Sequence, residues 1–115
     1  MTADAIQEIE LSISQAREFI QRADALKRLY NNPDFQEILV KGYFEREPIR
    51  LVHLKSDPHM QTPEQQAGII KEMDGVGSLR GYFQVIFMQA QHAIDAISES
   101  EEVLEEIRNG EGEAE

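Results

Sequence analysis

Apolar residues recur at alternating steps of three and four in two long segments of the chain. The first segment predicts a helix over about residues 5–30, with Asp4 as its N-cap and a stripe resembling a coiled-coil seam. Lys27 interrupts the stripe at one step, and Phe19, Leu26 and Leu29 widen it. The stripe itself consists of Ile6, Ile9, Ile13, Ala16, Ile20, Ala23 and Tyr30.

The second segment starts at a strong helix N-terminus, Thr62-Pro63-Glu64-Gln65, where Thr62 can cap and proline occupies the first helical position. Helical spacing then continues to Ile107 without another proline, which predicts a helix over residues 63–108, about 69 Å long at ~1.5 Å per residue. Its weak point holds Gly75, Gly77 and Gly81. We favour a continuous or kinked helix there over a break at Ser78.

The seam predicted for this long helix has polar residues, Arg80 and Glu101, at two of its positions. Ile69, Ile70, Leu79, Ile86 and Ala93 are expected to flank it. The apolar seam residues are Met73, Val76, Phe83, Phe87, Ala90, Ile94, Ile97 and Leu104.

Two short helices are predicted between the long ones, over about residues 33–41 and 48–55. The first begins at Asn32-Pro33 and ends at Gly42; Pro48 opens the second. Their inward faces are expected to carry Phe35, Ile38, Leu39, Ile49 and Val52, with Leu51 a further candidate. The predicted fold is all-α: a long antiparallel hairpin with the short helices forming a head. Residues 1–108 are expected to be one domain and residues 109–115 a disordered acidic tail.

Charge is distributed unevenly along the chain. The formal net charge is −11, and residues 98–115 hold eight glutamates against Arg108 alone. Because phosphate neutralisation needs a basic stripe, nucleic-acid binding is disfavoured. No run approaches the ~20 apolar residues of a membrane span, and the N-terminus lacks the pattern of a signal peptide.

No residue pattern indicates catalysis or a bound cofactor. Cysteine is absent, which excludes thiolate chemistry and cysteine-based zinc sites. His53 with Asp57 and His92 with Asp95 each supply two potential metal ligands, which is too few. We therefore expect a protein that is not an enzyme and needs no metal or cofactor.

Protein–protein contact is the remaining class of function. A two-helix stem leaves apolar residues beside its seam half covered, which favours a homo-oligomer. The residues expected at that contact are Phe19, Leu29, Ile86 and Ala93. A cluster of exposed carboxylates at the end of the long helix either keeps the protein in solution or docks a basic partner. It comprises Glu99, Glu101, Glu102, Glu105 and Glu106.

Three segments resemble small, largely uncharacterised helical proteins of tailed bacteriophages. They are ADALKRLYNNPDFQEI (residues 23–38), GYFEREPIRLV (residues 42–52) and the ending EEVLEEIR (residues 101–108). The resemblance implies a non-enzymatic role in virion structure or assembly, and a location in the virion or the host cytoplasm. Virion proteins or a basic host protein are then the expected partners. The alternative is an acidic inhibitor of a host nucleic-acid-binding or defence protein.

Overall fold

The protein is built from α-helices and one π-helix, and the described residues contain no strand. The computed structural model describes the backbone of residues 2–114 and the side chains of residues 3–110. The elements are α1 (Thr2–Tyr30), α2 (Pro33–Phe35), the π-helix (Gln36–Arg46), α3 (Glu47–Ser56) and α4 (Pro63–Ala114). The all-α class is confirmed, and α4 packs against α1 as the predicted hairpin requires.

The predicted starts of two helices are confirmed by their hydrogen bonds. The backbone N–H of Gln65 donates to Thr62 Oγ1 at 3.2 Å, and Gln65 Oε1 accepts from the Thr62 N–H at 3.2 Å. The Asn32 side chain accepts from the N–H groups of Asp34 and Phe35. These reciprocal contacts satisfy donors that every helix start leaves without partners.

The far ends of the long helices differ from the prediction. Helix α1 begins at Thr2, so Asp4 lies within its first turn and is not the cap. Helix α4 passes Gly75, Gly77 and Gly81 without a break and continues to Ala114, so the end predicted at Arg108 is wrong by six residues. The predicted acidic tail, residues 109–115, starts as helix. Its side chains beyond residue 110, and Glu115 altogether, lie outside the described residues.

The second predicted short helix, residues 48–55, is confirmed as α3, which has one more residue at each end. The end predicted for the first short helix near Gly42 is wrong, because helical winding continues without a break from Pro33 into α3. Gly42 does not end a helix: no residue of the described chain has the positive φ of a glycine C-cap. Instead, its carbonyl oxygen accepts a hydrogen bond from the N–H of Glu47, five residues later, which is π-helical pairing. Pro48 follows directly, and its ring has no N–H to donate to the helix.

An ion pair on the surface depends on this wider winding. Arg46 Nη1 lies 2.8 Å from Glu37 Oε1, nine residues earlier. Nine residues make about 2.5 turns of an α-helix, which would put the two side chains on opposite faces. At about 4.4 residues per turn of a π-helix they complete two turns and share a face. The Arg46 guanidinium, hydrogen-bonded to the Glu37 carboxylate, holds the pKa of that carboxyl below its usual value.

The π-helix also changes which apolar residues face inward. Ile38, Ile49 and Val52, all predicted to be inward, are 72, 60 and 52% exposed, whereas Leu51 is fully buried. Because each π-helical residue turns through a smaller angle than an α-helical one, α-helical spacing misplaces Ile38. Ile49 and Val52 lie in α3, where the opposite apolar choice, Leu51, is the residue that faces the core.

Two compact units make up the chain: a terminal unit of residues 1–25 and 86–115, and a central unit of residues 26–85. The core of the central unit is Leu51 with Ile69 and Val76. Side chains that pack against this core are Tyr43, Phe44, Leu54, Met60 and Met73.

An aromatic cluster in the central unit surrounds Phe83. Its ring lies 6.1 Å from Tyr30, 6.2 Å from Phe35 and 5.8 Å from Phe44, centroid to centroid. Tyr43 and Phe44 thus connect this cluster with the core of the unit, whereas Tyr82 is 58% exposed.

The three glycines at the weak point of α4 differ in their surroundings. A Cβ at Gly75 would lie 3.4 Å from the Tyr43 hydroxyl, which is an ordinary contact distance. A Cβ at Gly77 or Gly81 would meet nothing within 4 Å, so packing does not require glycine at these two positions.

Candidate protein-interaction surface

The terminal unit is an antiparallel pair of helices. One groove on it is lined by residues 10–17 of α1 together with residues 101–108 of α4, and another by residues 12–19 together with residues 89–96. Later residues of α1 thus lie beside earlier residues of α4, as antiparallel helices require. The buried side chains of this unit are Ile13, Ala23, Ile86, Ala90, Ala93 and Leu104.

The seam of α4 follows the predicted heptad but in a different phase. One inward position of each heptad is as predicted: it recurs every seven residues of the sequence from Val76 to Leu104, and both of these residues are buried. Each heptad has a second inward position, however, and this one lies one residue earlier in the sequence than predicted. The inward residues there are Leu79, Ile86, Ala93 and Ser100, in place of Arg80, Phe87, Ile94 and Glu101.

Exposure shows the size of this phase error. Ala93 is 6% exposed and Ile94 is 47% exposed. The same one-residue shift occurs at the end of α1, where Leu26 is 4% exposed and Lys27 is exposed. The polar residues that interrupted the predicted seams, Lys27, Arg80 and Glu101, are therefore surface residues one position beyond the true seam.

Two of the four predicted contact residues are buried within the chain. Ile86 and Ala93 are each 6% exposed, so the expectation that they would be partly exposed in a monomer is wrong. Leu29 is 49% exposed but belongs to the central unit. Phe19 is half-buried, in the terminal unit. Only Phe19 therefore combines surface access with a place in the two-helix unit.

The predicted acidic cluster is exposed at every position: Glu99, Glu101, Glu102, Glu105 and Glu106. Glu101 nevertheless has basic neighbours, because it lines a groove of about 500 Å³ with Arg17 and Arg108. Glu10 completes the charged rim of that groove, and Ile13 and Leu104 form its apolar floor. This charged groove carries two carboxylates and two guanidinium groups and is neutral.

A second groove, about 330 Å³ in volume, lies between the same two helices and has no charged residue in its lining. We call it the uncharged groove. Ala93 is buried at its base, Phe19 stands at one end, and Ser12 and Ala96 make the other end small. The full lining is Ser12, Gln15, Ala16, Phe19, Gln89, His92, Ala93 and Ala96. Sequence reasoning missed this groove apart from Phe19 and Ala93, because it depends on how the two helices are paired.

Two further properties of the described residues bear on function. No helix among them is both long enough and apolar enough to span a membrane. No three or more of their His, Asp and Glu side chains are grouped so that they could hold a metal ion.

Comparisons with protein-family models, with curated proteins and with solved structures found no match to this chain.

Proposed function

We propose that this protein acts without catalysis, by protein–protein contact, and that it assembles with copies of itself through the uncharged groove. The observation that carries the proposal is the lining of that groove: eight residues without a charge, in a chain with 11 basic and 22 acidic residues. Interfaces are depleted in charged residues at their centres, because a desolvated charge without a partner is costly.

The charge pattern restricts where a second copy could bind. Two copies with a net charge of −11 each repel one another, and contact through acidic surface would strengthen that repulsion. The uncharged groove is the part of the terminal unit that two copies can bring together without burying like charges.

Packing of the terminal unit supports the same conclusion. A pair of helices covers only one stripe on each helix, and apolar side chains outside the seam stay at the surface. Here Leu11, Met88, Ile94 and Val103 are between 43 and 60% exposed. These four side chains lie outside the lining of the uncharged groove, so their exposure favours assembly in general and not that groove in particular.

The biological setting that we propose is a bacteriophage particle, where the protein would be a structural or assembly component. This part of the proposal rests on the sequence resemblance alone. Mass spectrometry of purified virions tests it: many copies per particle are expected, and absence from the particle would overturn it.

A separate observation favours a second function, the docking of a basic partner. Five glutamates between residues 99 and 106 of α4 are exposed. Glu101 lies in the charged groove, where two arginines balance it and Glu10, but Glu99, Glu102, Glu105 and Glu106 lie outside that groove. Such a surface attracts a basic protein by long-range electrostatics. An acidic inhibitor of a host protein would use it.

Light scattering over a range of protein concentrations, with one pair of variants, tests self-association. Ala96→Glu places a carboxylate in the uncharged groove, and Ser98→Glu places one on α4 outside the groove; both positions are exposed. We expect dimers or larger assemblies for the wild type and for Ser98→Glu, and monomers for Ala96→Glu, with unchanged helicity by circular dichroism. A wild-type monomer at high micromolar concentration, or equal assembly of both variants, would overturn the proposal.

The two functions separate in a variant that replaces Glu102, Glu105 and Glu106 by Gln. Under the groove proposal this variant still assembles, and more tightly at low salt, because repulsion between the copies falls. Loss of its self-association would show that the acidic surface, not the groove, makes the contact.

A further inference from the structure

We infer that two copies meet about a two-fold axis through the middle of the uncharged groove, with Phe19 of each copy seated against Ser12 and Ala96 of the other. This inference rests on the proposed self-association and specifies its geometry. In such an isologous contact one surface patch serves both subunits, so it must complement itself.

Shape gives the groove this self-complementarity. Phe19 is a half-buried aromatic ring at one end, and Ser12 and Ala96 are small side chains at the other. Seven residues of α1 separate Phe19 from Ser12, which is about 10 Å along the helix. An axis midway between them, near Gln15, brings the bulky end of each copy onto the small end of its neighbour. The contact then gains two symmetric aromatic anchors, the kind of residue that dominates binding energy.

The position of Phe19 is supported by a cation–π contact. The guanidinium carbon of Arg22 lies 5.6 Å from the centre of the Phe19 ring. This contact restricts the ring before any partner binds, so less conformational entropy is lost on association.

Charge selects the antiparallel arrangement over the parallel one. Residues 98–115 carry a net charge of −7. An axis perpendicular to the helices puts the two acidic ends at opposite ends of the dimer, whereas a parallel pair would place them side by side and set Phe19 against Phe19. Separation beyond a Debye length, about 8 Å at physiological salt, removes most of that repulsion.

The same symmetry creates an attractive charge pair at each edge of the contact. Arg22 lies one turn beyond Phe19 on α1, and Glu99 lies one turn beyond Ala96 on α4. Both residues are exposed, and each lies farther from the proposed axis than the groove residue that precedes it. The two-fold therefore brings Arg22 of one copy near Glu99 of the other. Such a rim pair adds specificity more than affinity.

Cysteine cross-linking tests the axis directly, because the chain has no cysteine of its own. Gln15→Cys places one thiol near the axis on each copy, and Ser14→Cys places an exposed thiol outside the groove. With a short bifunctional maleimide we expect covalent dimers of Gln15→Cys at dilutions where Ser14→Cys stays monomeric. Equal cross-linking of the two variants would overturn the proposed axis.

Charge reversal tests the edge of the contact without touching the fold. Arg22→Glu and Glu99→Arg should each weaken the dimer, and the double variant should dimerise more tightly than either single variant but less tightly than the wild type, because the contact of Arg22 with the Phe19 ring stays lost; sedimentation equilibrium measures this. Phe19→Ala should weaken it at least about 30-fold, the factor that corresponds to 2 kcal/mol for a central aromatic anchor.

The outcomes separate the inference from the proposed function. If the wild type dimerises but the double variant dimerises no more tightly than the single variants and Gln15→Cys does not cross-link, the two-fold geometry is wrong while self-association stands. If the wild type is monomeric, both are wrong.

Discussion

The seam of α4 can be tested by replacing two isoleucines of the same helix with alanine. Ile86 is 6% exposed and occupies the seam; Ile94, eight residues later, is 47% exposed. Ile→Ala removes three carbon atoms, worth about 2.4 kcal/mol when fully buried at ~0.8 kcal/mol each. A residual cavity brings the expected loss at Ile86 to about 3 kcal/mol. At Ile94 only about half of the side chain leaves water on folding, so the expected loss is near 1 kcal/mol.

Urea denaturation followed by circular dichroism measures both losses, at a protein concentration low enough to keep the chain monomeric. With a slope of about 1.5 kcal/mol per molar urea, the midpoint should fall by about 2 M for Ile86→Ala and by less than about 0.7 M for Ile94→Ala. Alanine also favours helix slightly over isoleucine, which reduces both losses equally. Equal midpoints, or a larger fall for Ile94→Ala, would refute the assigned phase of the seam.

Three further predictions concern the central unit. Leu51→Ala should cost about 3 kcal/mol in the free energy of unfolding, because the side chain is fully buried, and thermal or urea unfolding measures it. Gly77→Ala should stabilise α4 by roughly 0.5–1 kcal/mol, since the new Cβ meets open space, whereas Gly75→Ala should gain less beside the Tyr43 hydroxyl; the two melting temperatures decide this. The pKa of Glu37 lies below its usual value, so its pairing with Arg46 stabilises the fold at neutral pH and is lost as the pH falls through that lowered pKa; carboxyl titration by NMR should show the pKa return upward in Arg46→Gln.

Two helix starts were predictable because they depend on contacts only two or three residues apart, whereas the start predicted at Asp4 was wrong. Thr62 with Gln65, and Asn32 with the two N–H groups that follow it, form the hydrogen bonds that their spacing indicates. Such local chemistry does not depend on the rest of the fold.

The phase of the seam was partly predictable. Two heptad patterns fit α4, and they share every seventh residue from Val76 to Leu104. The pattern with Arg80 and Glu101 in the seam was the wrong one, and those charges were a usable warning. A choice based on polarity alone would have moved the seam to Leu79, Ile86, Ala93 and Ser100.

The π-helix and the uncharged groove were not predictable from spacing. Apolar periodicity assumes α-helical winding, so it placed Ile38 inside when it is exposed. The groove depends on the pairing of α1 with α4, which brings Ser12 and Phe19 beside residues more than 70 positions later. No local pattern carries that register.

The winding of residues 36–46 also has a consequence for how this protein tolerates changes in length. The eleven residues of this segment make about 2.5 turns of a π-helix, whereas 2.5 turns of an α-helix contain only about nine residues. The segment therefore holds a surplus of roughly two residues over an α-helix that would connect the same flanks in the same orientation. We expect homologous chains to differ by deletions of one or two residues here, with α-helical winding where they do, and with the fully buried leucine of α3 still facing the core. Insertions or deletions of that size elsewhere in the helices would rotate every following side chain out of place.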